Sequence, residues 1–530
     1  MELGWLDITV FVAFFAVVIG VSMYKSRREE TGEDFFLASR GLVWPLIGLS
    51  LIAANISTEH FVGMAGQGAG IAGLAVASYE WMAAIVLVFV ALFFLPKFLR
   101  TGIFTIPEFL EYRYNASARA IMAFYTMIIY VGVTIAAVIY SGGLTLQTIF
   151  GDPLNSTHLI YGIWTIGVIA AIYTIWGGLK AVAWADLFQG SALIIGGFIT
   201  TVIGFQAVGG VSKFFSANAD KLHMILPREH SVLPWTALVI GLWIPNFYYW
   251  GLNQYITQRT LAAKTLRQGQ LGIIFAAFLK LIIPFIIILP GIMAYQLYSA
   301  KMTAEGGTTD AAYPLLIRNL VTPGARAFIF AAISGAVISS LASMLNSAST
   351  IFTMDLFKRH WKKDASQKAL ITSGRITTGI FVLIGCLIAP FLGHPSLKGI
   401  FTYIQEFQGF ISPGILAAFV VGLIFKRAPD SAGVTALILN PIIYGILLVF
   451  FGNVPAFESL SLGEIAFLNR MAITFVIILV VMLILTVVKP LSTPKELPVR
   501  AEYDMRPSPS VAWLGAAVII ITLVLYGIFW

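Results

Sequence analysis

The stretch "SLIAANISTEHFVGMAGQGAG", Ser50 to Gly70, decides how this chain folds. Its flanks are apolar over membrane length, yet Asn55, Ser57, Thr58, Glu59 and His60 follow one another almost without interruption. A charged side chain facing lipid at mid-bilayer costs about 2.5–3.5 kcal/mol even on insertion scales. These groups must therefore face something other than lipid. A helix that unwinds here frees backbone C=O and N–H groups, which exist at membrane depth only where they line a cavity or bind something. Freed carbonyls are hard oxygen ligands suited to a small cation.

The rest of the chain is built for a bilayer. Of 530 residues, 58% are hydrophobic and 11% charged, whereas soluble domains carry roughly 25% charge. Apolar runs of about 20 residues, the length that crosses hydrocarbon as a helix, recur throughout, and the alternating pattern of barrel strands is absent. The fold class expected is all-α integral membrane. The single cysteine, Cys386, lies in an apolar run, so no intrachain disulfide and no Cys-based metal site is expected. The net charge of +8 follows from the distribution of basic residues along the loops and is not a nucleic-acid signal.

About fourteen spans are read, near 5–24, 44–70, 75–96, 118–147, 158–176, 181–207, 234–258, 268–297, 325–357, 371–393, 397–425, 431–451, 466–488 and 510–530. The N-terminal "MELGWLD" lacks a basic leader, and "KSRREE" follows the first span, which predicts a cytoplasmic first loop and an outer N-terminus. Alternation then gives cytoplasmic segments 24 Lys/Arg, including "FKRHWKK" (357–363), "RTLAAKTLR" (259–267) and "KPLSTPKELPVR" (489–500), and outer segments 8, with Lys280 alone mid-span. The C-terminus is expected outside as well, in a plasma membrane (bacterial inner membrane).

A second segment shares the opening texture: "GLWIPNFYYWGLNQYITQR" (241–259), with Pro245, Asn246, Asn253 and Gln254. Each opens a block of five spans, and because five is odd the blocks enter the membrane from opposite sides. Paired broken helices in an inverted repeat mark a transporter's substrate site; a Pro-kinked helix would give the same texture by coincidence. The division expected is 1–43 (an extra helix and inner loop), 44–207 (first repeat), 208–233 (outer loop), 234–425 (second repeat) and 426–530 (three further helices).

Glu80 in "ASYEWMAA" and Lys280 in "FAAFLKLIIPF" each stand in an apolar run. Paired, they neutralise each other across the bundle. They then serve either as a structural salt bridge or as acceptor and donor for a polyol. "TYIQEFQGFISPG" (402–414) adds Gln405, Glu406 and Gln408 before Ser412–Pro413. In "SGAVISSLASMLNSAST" (334–350), Ser339, Ser343 and Ser347 share a helical face, which suits either close helix packing or ion ligation, with Ser339–Ser340 the better ligand pair. Asp186 in "AVAWADLFQG" is a candidate second cation site or exit path. Among many aromatics only Tyr249, beside the second break, is singled out as a ring to stack on a sugar.

The segments "LIAANIS", "ASYEWM", "YTIWGGLKAV" (173–182), "NQYITQRTLAAK" (253–264), "ISSLASMLNSASTIFTMD" (338–355) and "YIQEFQGFISPGIL" (403–416) resemble the sodium/solute symporter family, and within it the bacterial and animal sodium/sugar cotransporters. The likeness runs over about residues 5 to 530. It implies a LeuT-type five-plus-five inverted repeat with broken helices, symport of a hexose (galactose or glucose) with sodium, and no enzymatic activity. It implies a sodium site from the carbonyls of Ala53, Ile56 and Ala336 with the hydroxyls of Ser339 and Ser340. Sugar contacts fall on Asn55, His60, Glu80, Asn246, Lys280 and Gln405. Tyr249 becomes an inner gate, with Met64, Tyr79 and Phe401 above the sugar. The family's second sodium site, where present, matches Asp186 and hydroxyls near Ser343; Ala342 lacks a hydroxyl, which argues for one sodium. His60 and Ala83 follow the animal pattern rather than the bacterial one. The partners implied are hexose, sodium and lipid, in a monomer or weak homo-oligomer. The alternatives are the same fold carrying another solute such as myo-inositol, and a sugar-gated channel or sensor. A membrane-embedded enzyme is disfavoured, since no metal cluster or nucleophile–base pair emerges.

Overall fold

A computed structural model describes residues 5–26, 30–57, 59–150, 156–303, 309–322, 324–393, 400–452, 455–500 and 504–530. Among the described residues all regular structure is helical apart from an isolated bridge between Leu42 and Ala263. Among the described residues ten helices are long and apolar enough to cross a membrane, and eleven if the bent pair Trp44–Asn55 and Glu59–Ala69 is counted as a span.

The fourteen segments read from the sequence correspond to helical stretches, and breaks account for the lower count by length. Ser156–Ala207 runs for 52 residues, about 78 Å at 1.5 Å per residue, far more than a bilayer needs. Gly178, with φ 49° and ψ −159°, interrupts it in "WGGL", a backbone conformation open to glycine and costly for other residues. The second textured segment is likewise two short helices, Trp243–Leu252 and Gln254–Leu261, separated at Asn253 (φ −84°, ψ 121°). The short apolar helix Ser412–Ile424 starts with Pro at its first turn, after the separate helix Ile400–Gln408.

The opening stretch is broken as its polarity requires. Trp44–Asn55 ends at Ile56, whose φ of −81° and ψ of 109° are extended. The chain resumes as a wide π-helical turn, Glu59–Met64, and continues as Ala65–Ala69, bent 60° from the first half. The second half lies against Leu266–Thr303 so closely that a Cβ on Gly291 would stand 2.2 Å from the Ala65 carbonyl oxygen. Glycine permits this backbone approach in place of side-chain interdigitation.

Ala325–Ile351 is the centre of the bundle. The apolar window of its span is 94% buried, against 22% for Phe467–Val488 and Val511–Ile528 at the periphery. Its small residues Ser334, Gly335, Ala336, Ser339, Ser340 and Ser343 are all buried, which brings the first broken helix and the kinked helix Ser156–Ala207 onto it. Arg259, expected at the start of a basic segment, is 0% exposed in the protein interior, on the short helix Gln254–Leu261 that follows the second break.

Candidate functional site

Both broken helices end on a central cavity of about 50 Å³. From the first come Asn55, Glu59, His60 and Met64, and from the second Asn246, Tyr248, Tyr249, Trp250, Asn253 and Tyr255. Tyr79, Glu80, Tyr130, Thr134, Gln405 and Gln408 complete the polar and aromatic lining, with Met344 from the central serine helix. Thus Asn55, His60, Met64, Tyr79, Glu80, Asn246, Tyr249 and Gln405, widely scattered in the chain, share one wall. The side chain of Phe401 lies outside the described residues.

Lys280 is 0% and Glu80 3% exposed, and the ammonium contacts both Glu80 Oε2 and Asn55 Oδ1. The Lys280 Nζ also lies 4.8 Å from the Trp250 ring centroid, a cation–π arrangement. His60 Nε2 is 3.4 Å from the other Glu80 oxygen. With that nitrogen carrying the hydrogen, the buried His60 Nδ1 is an acceptor with no partner among the described residues. Asn246 Nδ2 donates to the Leu242 carbonyl at 2.9 Å, which fixes its amide on the cavity wall. The cavity therefore offers a carboxylate and ring nitrogen as acceptors, amides as donors, and aromatic faces, while Lys280, which is not among the lining residues, cancels the Glu80 charge.

The cavity floor is a chain of hydroxyls. Asn55 Nδ2 donates to Tyr249 Oη at 2.9 Å, and Tyr255 Oη donates to the same oxygen at 2.5 Å. The Tyr130 hydroxyl donates to Asn253 Oδ1 and accepts the Tyr255 backbone N–H at 3.2 Å. Tyr130, Trp250, Asn253 and Tyr255 were not singled out as site residues. Asn253, at the break itself, carried a usable signal, whereas the aromatics were hidden by their abundance.

Beside Asn55, the structure brings together Ser340 and Ala53 of the residues assigned to sodium. Ser340 Oγ donates to the Ala54 carbonyl at 2.9 Å and lies 3.3 Å from that of Ala53. Ser339 Oγ donates to Asp186 Oδ1. Ala53, Ile56, Ala336, Ser339 and Ser340 are all essentially unexposed. Ala53 and Ile56 flank the break, where helix-terminal carbonyls lack the usual partner four residues on. Hydroxyls and carbonyls without a thiol or imidazole suit a hard monovalent cation. Asp186 lies beyond Ser339 and does not stand empty: the Arg259 guanidinium holds it, at 3.0 Å from Nη2 to Oδ2, and also contacts Ser343 Oγ. Sequence reasoning missed this partner because Arg259 sits at the end of an apolar span, where a basic residue ordinarily faces the cytoplasm.

Comparison with known proteins agrees with this geometry. The sequence profile of the Sodium:solute symporter family matches residues 35–439. The "Sodium/glucose cotransporter" of Vibrio parahaemolyticus is 40% identical over 100% of this chain and 99% of its own. The "Sodium/myo-inositol cotransporter 2" of Sus scrofa is 34% identical over 82% of this chain and 68% of its own. Among solved structures, the substrate-bound, outward-open state of a Na+-coupled sialic acid symporter superposes with a TM-score of 0.77 at 22% identity, covering 94% of this chain and 100% of that one. This likeness establishes the shared fold.

Proposed function

From the premise that this chain belongs to the sodium:solute symporter family, we propose that it carries a neutral hexose, galactose or glucose, into the cell together with one sodium ion. Sodium is the co-transported ion of this multi-pass membrane carrier. The observation that carries the hexose reading is the Glu80–Lys280 pair beside Asn55 and His60. It is neutral overall and rich in both donors and acceptors, as a polyhydroxylated, uncharged ligand requires. A carboxylate cargo would need a cationic group without a facing acid. The full-length likeness to a sodium/glucose cotransporter supports the same reading.

In this mechanism sodium binds among the carbonyls of Ala53, Ile56 and Ala336 and the hydroxyls of Ser339 and Ser340. The ion fixes the unwound segment against the serine helix and so orders Asn55, the first polar residue of the sugar site. The sugar then bonds Asn55, His60, Glu80, Asn246, Lys280 and Gln405 and rests on Tyr249. Met64, Tyr79 and Phe401 close above it. Coupling is reciprocal: whatever sodium does for sugar affinity, sugar does for sodium affinity. One charge moved through 100 mV is worth about 2.3 kcal/mol and a tenfold sodium gradient about 1.4 kcal/mol. Together they drive accumulation of a few hundredfold. We assign the two five-helix repeats to 44–207 and 234–425, with both chain ends outside, so that the repeats rock about the fixed site.

Myo-inositol is the second reading, favoured by the 34% identity to a sodium/myo-inositol cotransporter. The same donors and acceptors serve either ring. Uptake into proteoliposomes of labelled galactose, glucose and myo-inositol, with an inward sodium gradient and with choline in its place, tests both. Sodium-dependent accumulation of a hexose above equilibrium, lost in Glu80→Ala and Ser339→Ala, is the expected result. Accumulation of myo-inositol alone replaces the cargo, and sodium-independent equilibration overturns coupled transport.

A further inference from the structure

Glu59 carries the negative charge of the opening polar run, and neither the sodium site nor the balanced Glu80–Lys280 pair uses it. It starts the wide turn Glu59–Met64 and lines the central cavity together with Asn55, His60, Tyr249 and Tyr255. Its backbone is fixed at the break. The Glu59 N–H donates to Ser57 Oγ at 3.2 Å, and the next N–H, that of His60, donates to the Ser57 carbonyl at 3.0 Å. The group that meets its carboxylate is the hydroxyl of Ser57, which is neutral. Among the described residues Glu59 forms no ion pair: the Lys280 ammonium is taken by Glu80 and Asn55, and His60 Nε2 faces Glu80 at 3.4 Å. We propose that Glu59 is the counter-charge for an ammonium group on the cargo, so that the carrier takes amino sugars, hexoses with a protonated amine in place of a hydroxyl, more tightly than the parent hexoses.

This proposal rests on the hexose reading and extends its substrate class. The charges around the cavity decide it. Glu80 and Lys280 cancel, which leaves the Glu59 carboxylate as an acid without a facing cation. Such a group is costly at membrane depth until a positive charge meets it, and acids placed this way mark the route of a substrate or ion. The ligands assigned to sodium are carbonyls and hydroxyls at Ala53, Ile56, Ala336, Ser339 and Ser340, so the ion is provided for without Glu59. A charge on the cargo can meet Glu59 at loading and leave with the cargo. An ammonium–carboxylate hydrogen bond is roughly twice as strong as one between neutral groups, whereas a hexose hydroxyl in the same place leaves the acid uncompensated. The remaining hydroxyls of an amino sugar keep the partners of the parent hexose, Asn55, His60, Glu80, Asn246 and Gln405. A cargo bearing a carboxylate is repelled at the same position.

The test is competition against sodium-driven uptake of labelled glucose and galactose in proteoliposomes, at a mildly acidic pH that keeps the amines protonated. The competitors are glucosamine, galactosamine and glucose carrying its amine at carbon three or carbon six, each beside its parent hexose. At least one amino sugar is expected to inhibit at a concentration about tenfold or more below that of its parent. In Glu59→Gln that ratio falls to about one or reverses, and Glu59→Asp keeps part of it. Amino sugars no better than their parents in the wild type, or a preference that survives Glu59→Gln, overturn the proposal. So does an equal loss for hexose and amino sugar accompanied by a higher sodium requirement, since Glu59 would then serve the ion. Where Glu59→Gln does not fold, the wild type decides through the charge it carries. Current per labelled amino sugar should exceed current per labelled hexose by one charge, and equal currents per sugar are the overturning result. Failure of the hexose reading looks different: sodium then drives neither hexose nor amino sugar, and the proposal falls with it.

Discussion

Asn55 donates to the hydroxyl of Tyr249 across 2.9 Å, so that two helices broken 194 residues apart in the chain touch side chain to side chain at the cavity floor. The Tyr249 oxygen also accepts from Tyr255, which makes it the centre of the seal. Tyr249→Phe keeps the ring and removes both bonds, each worth about 0.5–1.5 kcal/mol. The expected outcome is a folded protein whose loaded vesicles release labelled sugar several-fold faster into choline medium. Efflux equal to wild type would show that the ring alone makes the floor tight.

Ser340 spans the break from the other side, with its hydroxyl on the Ala54 and Ala53 carbonyls. Ser340→Ala removes one oxygen from the proposed sodium shell and leaves those buried carbonyls short of a donor. A loss of about 1–2 kcal/mol raises the sodium concentration for half-maximal uptake by about tenfold. By linkage, apparent sugar affinity at fixed low sodium falls too and recovers at saturating sodium. A sugar affinity lowered equally at all sodium concentrations would place Ser340 in the sugar site instead.

Much of this was legible because the membrane makes polar residues conspicuous. Asn55, His60, Glu80 and Lys280 stood out against apolar runs, and the structure gathers all four within one bonded group. Asn253 showed as a break in the second half. What stayed hidden followed two rules. Tyr130, Trp250 and Tyr255 are aromatics in a chain with 13% aromatic residues, so nothing in composition separates a gate from a packing ring. Arg259 and Arg113 look like inner-loop cations by position, yet both are buried: Arg113 bonds the carbonyls of Gly422, Phe425 and Ala428. A basic residue near a span end faces solvent by default, and only the packing of the folded chain shows otherwise. The span count behaved in the same way, since Gly178 and Pro413 divide segments whose hydropathy runs on.

Outside the membrane-spanning segments, Asp310 offers a pH test. It lies against the second half of the first broken helix, where a Cβ on Gly66 would stand 2.5 Å from its Oδ1, and burial raises its carboxyl from 3.8 to about 6. The folded protein thus holds this proton more tightly than the unfolded chain. Between about pH 4 and 6 the native state binds more protons, so stability falls as pH rises through that window and is level above it. The total is at most about 3 kcal/mol. Thermal unfolding of purified protein should therefore show Asp310→Asn gaining on wild type between pH 4 and 6, with a constant advantage above. A difference that does not change with pH would mean that Asp310 is ionised throughout.

The Glu80–Lys280 pair separates binding from stability. Glu80→Gln leaves Lys280 as an uncompensated charge with 0% exposure, and breaking a buried pair in this way costs about 3–5 kcal/mol. Lys280→Met strands the carboxylate in the same manner, while its unbranched stem still covers Trp250. The double variant Glu80→Gln/Lys280→Met buries no net charge at either position. It should regain most of the thermal stability lost in each single variant, a coupling of at least about 2 kcal/mol in the double-mutant cycle. Transport should not return, because the sugar's strongest acceptor and donor are both gone. If the double variant also regained sodium-driven uptake, the pair would be a structural bridge, and recognition of the cargo would rest on Asn55, His60, Asn246 and Gln405 alone.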